Sequence, residues 1–295
     1  MVRISPQLLD KVIASYGVFF ERIARLPAEK CARDVVDEEK IHDQVRLLCE
    51  TTGLGIDALA GKKILEVGCG FGLFVFVTRR DYGCDTVGIE PAEVGFDTSF
   101  ALARQIAAEY GMPAEVVIDA RGEKIPFPDG TFDILFSSTV LEHTSDPQAV
   151  LRESLRVLKP GGFMQFVFPN YGSFFEGHYA IPWIPYLNNR MGKLWVRLWG
   201  RDPAFMGTLK LLHYHQVKEW MKDLPGVRVL TYGADVFEKR MLASDIKEWA
   251  GLGRVRRWIR LAHELKLIRL ITRIMVRLGA FEPIILTLTR RSCRG

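Results

Sequence analysis

Three carboxylates stand where short apolar runs end: Glu66 in Ile64-Leu65-Glu66-Val67, Glu90 in Val87-Gly88-Ile89-Glu90, and Asp119 in Val117-Ile118-Asp119. Glu66 leads into a turn with glycines at 68, 70 and 72, interrupted by Cys69 and Phe71. Glycines so placed allow positive φ and let backbone approach a ligand closely. A dinucleotide fingerprint needs its third glycine where Leu73 stands, and no Gly-Lys-Ser/Thr follows, so neither a pyrophosphate nor a P-loop ligand is expected. Glu66 repels phosphate and attracts an ammonium or sulfonium. Glu90, followed by the pairing-stopper Pro91, suits a ribose diol, and Asp119, followed by Ala120, suits the exocyclic amine of adenine.

A second set could move a proton. His143 follows the fourth apolar run, His178 lies in Glu176-Gly177-His178-Tyr179, and His213 and His215 flank Tyr214. Histidine is the base best matched to neutral pH. Each is a candidate catalytic base, against a packing, capping or surface role. Glu176, His178, His213 and His215 are also metal-ligand types, but nothing in the sequence ties the two histidine motifs together, so no metal site is expected.

These residues need a scaffold. β-type runs at Lys63–Val67, Thr86–Glu90, Glu115–Ile118, Phe132–Ser137 and Phe163–Phe168 alternate with helix-compatible stretches such as Ala101–Tyr110 and Pro147–Leu158. That order predicts an α/β fold with a parallel sheet, completed by runs at Val227–Tyr232 and Pro283–Thr289. Residues 1–60 read as a helical lead-in, 61–170 as the ligand-binding core, 171–226 as an acceptor-side insertion, and 227–295 as the last two strands with a helix between them, all in one domain. The insertion is rich in aromatics between Tyr171 and Phe205, a cap or pocket wall.

Composition bounds the rest. The 295 residues are 48% hydrophobic and 25% charged, which excludes disordered, collagenous and coiled-coil classes. Five scattered cysteines (31, 49, 69, 84, 293) form no finger spacing and fit a reducing cytoplasm. No run is long and apolar enough for a membrane span. The formal net charge of +5 is concentrated between Gly251 and Ala280, where eight basic residues face Glu264 alone. At helical spacing Leu261, Leu265, Ile268, Ile271, Met275 and Leu278 form one stripe and Lys266, Arg269, Arg273 and Arg277 another. The expectation is either a helix packed on the protein with solvated arginines or, through residues 254–278, a peripheral contact with an anionic membrane. Nucleic acid is not expected, since the remaining residues sum to −2 and no recognised binding module is present.

Taken together, ILEVGCGFG (64–72), GIEP (88–91), IDARGEKIPFPDGTFDILFSS (118–138), LEHTSDP (141–147) and LRESLRVLKPGGFMQFVFP (151–169) closely resemble class I S-adenosylmethionine-dependent methyltransferases, particularly the branch of ubiquinone and menaquinone biosynthesis. The resemblance spans residues 62–168. It implies a Rossmann-like, seven-stranded, mostly parallel sheet with an antiparallel last strand and helices on both faces. It also implies S-adenosyl-L-methionine as cofactor, bound by Glu66, Gly68, Cys69, Gly70, Gly72, Glu90, Pro91, Asp119, Ala120 and Ser137, with His143 turned toward the cleft. The expected reaction is O-methylation of a small-molecule, glycan or lipid-linked acceptor. The alternatives are transfer to carbon or nitrogen, or a noncatalytic, membrane-associated cofactor-binding partner.

Overall fold

The computed structural model describes residues 4–92, 98–243 and 261–291. Four helices come first: α1 (Pro6–Val12), α2 (Val18–Ala24), α3 (Ala28–Val35) and α4 (Glu38–Thr52), with one π turn at Ile13–Gly17. The Ser5 hydroxyl caps α1, accepting from Leu8 N, and Pro6 occupies the first helical position, where a missing N–H costs nothing. A Cβ on Gly17 would lie 2.4 Å from the Ala28 carbonyl oxygen, so only glycine lets α3 fold back this closely.

The sheet then builds as the alternation predicts. Its strands are β1 (Lys63–Val67), β2 (Asp85–Glu90), β3 (Val117–Asp119), β4 (Phe132–Ser138), β5 (Leu158–Phe168), β8 (Val227–Thr231) and β9 (Ile284–Arg290). Their spatial order is β3-β2-β1-β4-β5-β9-β8, with β9 antiparallel to both neighbours and the rest parallel. The third strand lies slightly later than its apolar run: Pro113 opens a 3-10 turn over Ala114–Val116, and pairing begins at Val117. Between β1 and β2 runs α5 (Leu73–Tyr82), between β2 and β3 α6 (Ser99–Glu109), and between β4 and β5 α7 (Pro147–Val157).

Both sheet faces are covered, as parallel sheets require. On one face Ile64 and Phe136 pack with Phe74 and Phe76 of α5 and with α4 and α6. Opposite, Leu65, Val67 and Leu135 pack with Val150 and Leu151 of α7, and with α9 (Tyr214–Lys222), α10 (Ala234–Ala243) and α11 (Ile268–Arg277). The insertion carries a hairpin, β6 (Phe175–Glu176) with β7 (Ile181–Pro182), and α8 (Asn189–Leu198). Tyr171, Tyr179, Trp183, Val196 and Met206 form its own core, which Ile23 of α2 enters. The N-terminal helices and the insertion therefore share apolar contacts over the sheet.

The basic segment is only partly described: Arg254, Arg256, Arg257 and Arg260 lie outside the described residues. On α11 the apolar stripe is split. Of its residues Ile268 is buried and Met275 packs on the core, with Thr272 buried beside them, while Leu265, Ile271 and Leu278 are exposed; outside the stripe, Leu270 (57% exposed) and Ile274 (48%) also face out beside exposed Arg269, Arg273 and Arg277. A helix packed by one apolar face does not account for the outward one. Among the described residues no helix is long and apolar enough to cross a membrane, and Cys31, Cys49, Cys69 and Cys84 are buried and free.

Candidate active site

The glycine turn sits at the carboxyl ends of β1 and β2. Gly68 (φ +73°), Gly70 (φ +51°) and Gly72 (φ +80°) all take the left-handed backbone that favours glycine. Gly68 N and Cys69 N both donate to the Ile89 carbonyl, at 2.9 and 3.0 Å, which straps the turn to β2. A Cβ on Gly88 would lie 2.6 Å from Cys69 Sγ, so the glycine inside β2 is the seat of the turn. A Cβ on Gly70, by contrast, would meet nothing within 4 Å, so this glycine borders open space.

Around that space the acids gather. Glu90 and Asp119 are register partners on β2 and β3, and Glu90 Oε2 accepts from Gly70 N at 3.0 Å. Asp119 is exposed, and its Oδ1 accepts from Ala92 N at 2.9 Å. Glu66 is buried, with Oε2 lacking any partner. Burial, then the nearby Glu90, pushes the Glu66 carboxyl well above its ordinary range. Burial likewise pushes Glu90 up to about 7, against the opposing pull of the Gly70 N–H. Two desolvated carboxyls facing one crevice suit a cationic, hydroxyl-bearing ligand that restores their ionised form. Pro91 and Ala120 are half-buried beside their acids. Two expected contributors point elsewhere: the Cys69 thiol is tucked under the turn, leaving only its backbone, and Ser137 Oγ donates to the Val67 carbonyl at 2.8 Å.

A second polar cluster adjoins the turn. Thr139, a β-branched residue at φ +59°, follows β4 and turns the chain into the 3-10 segment Leu141–His143. Val140 of that connection presses on Gly68, where a Cβ would lie 2.4 Å from its Cγ2. Glu142 is fully buried, and His178 reaches it from the insertion, with Nε2 3.7 Å from Glu142 Oε1. His143 Nε2 lies 3.8 Å from the same oxygen. His178 Nδ1 donates to Glu176 Oε1 at 2.9 Å, and the Tyr171 hydroxyl donates there at 3.1 Å. Burial pulls the His178 pKa down, but Glu176 and Glu142 outweigh it and leave it raised. Burial, with His178 beside it, lowers the His143 pKa, so this ring is neutral at pH 7. About 31% of its side chain stays accessible. Phe205 lies against both histidines, tilted to His143 and edge-on to His178, with centroids at 5.8 and 5.5 Å, and Phe19 of α2 meets Phe205 at 5.1 Å.

The four histidines thus separate. His213 caps α9, accepting from Gln216 N, and His215 lies against Tyr186 and the Leu278 carbonyl. The structure brings Glu176 and His178 to His143 and leaves His213 and His215 apart from them.

The family model for a methyltransferase domain matches residues 65–166, the span holding the glycine turn, the three acids and the Glu142-His143 turn. Residues 65–166 are a methyltransferase domain. Among curated relatives, phosphoethanolamine N-methyltransferase 3 of Arabidopsis thaliana is 36% identical over 116 residues, 38% of this chain and 23% of that protein. A ubiquinone biosynthesis O-methyltransferase of Idiomarina loihiensis is 31% identical over 138 residues, 44% of this chain and 54% of that protein. The chain therefore spans about a quarter to a half of these relatives' length. The crystal structure of the [4+2]-cyclase SpnF aligns with a TM-score of 0.53 at 18% identity, covering 97% of this chain and 93% of that one, a likeness of fold.

Several residues of this methyltransferase domain and its cap escape sequence reading. Glu142 carries no signal of its own, since a lone glutamate after a strand reads as a turn residue. Gly88 carried a signal, because glycine inside a strand marks a close backbone approach. Phe205 falls in the aromatic run of the insertion that reads as a cap or pocket wall, whereas Phe19 of the N-terminal helices carries no signal.

Proposed function

We propose that the chain transfers the methyl group of S-adenosylmethionine to a hydroxyl oxygen of a small-molecule or lipid-linked acceptor. The observation that carries the reading is the crevice of Glu66, Glu90 and Asp119 around the open backbone of Gly70. Ionised Glu66 would meet the cationic end of the cofactor, Glu90 the ribose hydroxyls and Asp119 the adenine amine. Transfer from a sulfonium is an in-line displacement with a good leaving group, so alignment supplies most of the acceleration. A hydroxyl acceptor must lose a proton. Supporting that choice is the polar cluster beside Gly68, in which His143 is neutral and partly accessible and His178 is braced by Glu176. The aromatic roof of Phe19 and Phe205 would exclude water. Titration calorimetry with S-adenosylmethionine, S-adenosylhomocysteine and NAD tests the reading. Binding of the first two and not of NAD is expected; preferential binding of NAD overturns it.

The outward face of α11 supports a membrane-side acceptor. Arg269, Arg273 and Arg277 on the helix and Lys266 just before it are exposed and make no ion pair among the described residues, and Leu270, Ile274 and, at its end, Leu278 are exposed as well. Each basic side chain near an anionic surface contributes on the order of 1 kcal/mol, and screening weakens it. Co-sedimentation with anionic vesicles at low salt is expected, with release at high salt and loss on reversing the charge of these four residues. Equal recovery in the supernatant under all conditions would assign α11 to solvent and the acceptor to the soluble small molecules.

A further inference from the structure

We propose that Glu142, His143 and His178 form a binding site for one divalent transition-metal ion. Their ligand atoms all lie within 4.8 Å of one another. Glu142 is fully buried, yet neither of its oxygens has a hydrogen-bond partner, and the buried His178 Nε2 has none either. Unpaired buried polar atoms are rare, because each forfeits its hydration for nothing. Here three of them converge.

The distances say what fits between them. At 3.7 and 3.8 Å from Glu142 Oε1, the two imidazole nitrogens are too far for hydrogen bonds. Donors each about 2.0–2.2 Å from a common ion stand at about this separation. The outer layer is also built for a metal. Glu176 accepts from His178 Nδ1, which in the neutral ring a metal binds leaves the Nε2 lone pair toward Glu142, and Tyr171 and the Tyr179 backbone N–H hold Glu176 in place. Two imidazoles and one carboxylate suit zinc, iron(II) or manganese more than calcium or magnesium. With three protein ligands and one of them, His143, partly accessible, a coordination position stays open on the accessible side of that ring.

In the reaction proposed above, on which this last step rests, that position takes the acceptor hydroxyl. The ion lowers the hydroxyl's pKa, the proton leaves to solvent, and the oxygen attacks the methyl carbon. The C–O bond forms as the C–S bond breaks, and the sulfur departs as a neutral thioether.

The test needs neither cofactor nor acceptor. The full chain, stripped of metal by chelator, is titrated with Zn2+ by calorimetry and with Co2+ by visible absorption. One ion per chain is expected, with a Co2+ ligand-field spectrum of low coordination number that Zn2+ abolishes. His143→Ala, at a partly accessible side chain and therefore foldable, should weaken Zn2+ binding at least tenfold, and Glu142→Gln more. Glu176→Gln should weaken it about 10- to 100-fold through His178, whereas His215→Ala should leave it unchanged. Absence of stoichiometric Zn2+ binding by the wild-type chain, or binding that survives both His143→Ala and Glu142→Gln, overturns the site. S-adenosylmethionine calorimetry on the same preparation separates this failure from failure of the methyltransferase reading.

Discussion

Glu90→Ala is expected to weaken S-adenosylmethionine binding by about 1–3 kcal/mol, roughly 5- to 150-fold in Kd, the scale of lost hydrogen bonds to a charged group. Two contacts go at once: the carboxylate for the ribose hydroxyls, and the acceptor that holds Gly70 N at 3.0 Å. The pH dependence should change with it. Burial holds the Glu90 pKa up at about 7. In the unliganded protein this raised pKa stabilises the fold fully below the ordinary carboxyl range, and that stabilisation is lost as pH rises through about 7. A ligand that requires the carboxylate has the opposite slope, so affinity should rise about tenfold from pH 6 to pH 8 and then level off. In Glu90→Ala that share of the rise disappears, leaving what Glu66 contributes. Calorimetry across this range checks both; a variant within twofold of wild type at pH 8 would remove Glu90 from the cofactor site.

Phe136→Ala is expected to destabilise the fold by about 3–5 kcal/mol, the cost of the lost transfer energy plus the cavity left behind. Phe136 is fully buried on β4, stacks on Phe74 of α5 with centroids 4.1 Å apart, and is the register partner of Glu66. The stack joins the sheet to the helix that starts from the glycine turn. A shift of the urea midpoint at unchanged slope measures the effect. A loss below 1 kcal/mol would mean that neighbouring side chains collapse into the space.

The fold is legible where its signals are local. Each strand of the sheet is a short apolar run closed by a turn residue, and the Glu66, Glu90 and Asp119 strand ends follow from that register alone. The proton-moving residues are not legible in the same way. His178 lies within an insertion that shares no period with the sheet, and only the folded hairpin of Phe175–Glu176 with Ile181–Pro182 brings it to Glu142. His213 looked equivalent by chemistry, but a histidine just before a helix also caps it, and here capping prevails. The α11 stripe was visible by its period, but which apolar residues turn inward depends on how the helix docks, with Thr272 rather than Ile271 on the buried side.

In the proposed reaction the crevice of Glu66, Glu90 and Asp119 presents a methyl group to the cluster of Glu142, His143 and His178. A crystal structure with S-adenosylmethionine bound tests it most directly. The ribose hydroxyls should lie on Glu90, the adenine amine on Asp119, and the methyl carbon should face the accessible side of His143. A cofactor whose methyl carbon faces away from that cluster, or whose ribose engages neither Glu90 nor Asp119, would contradict it.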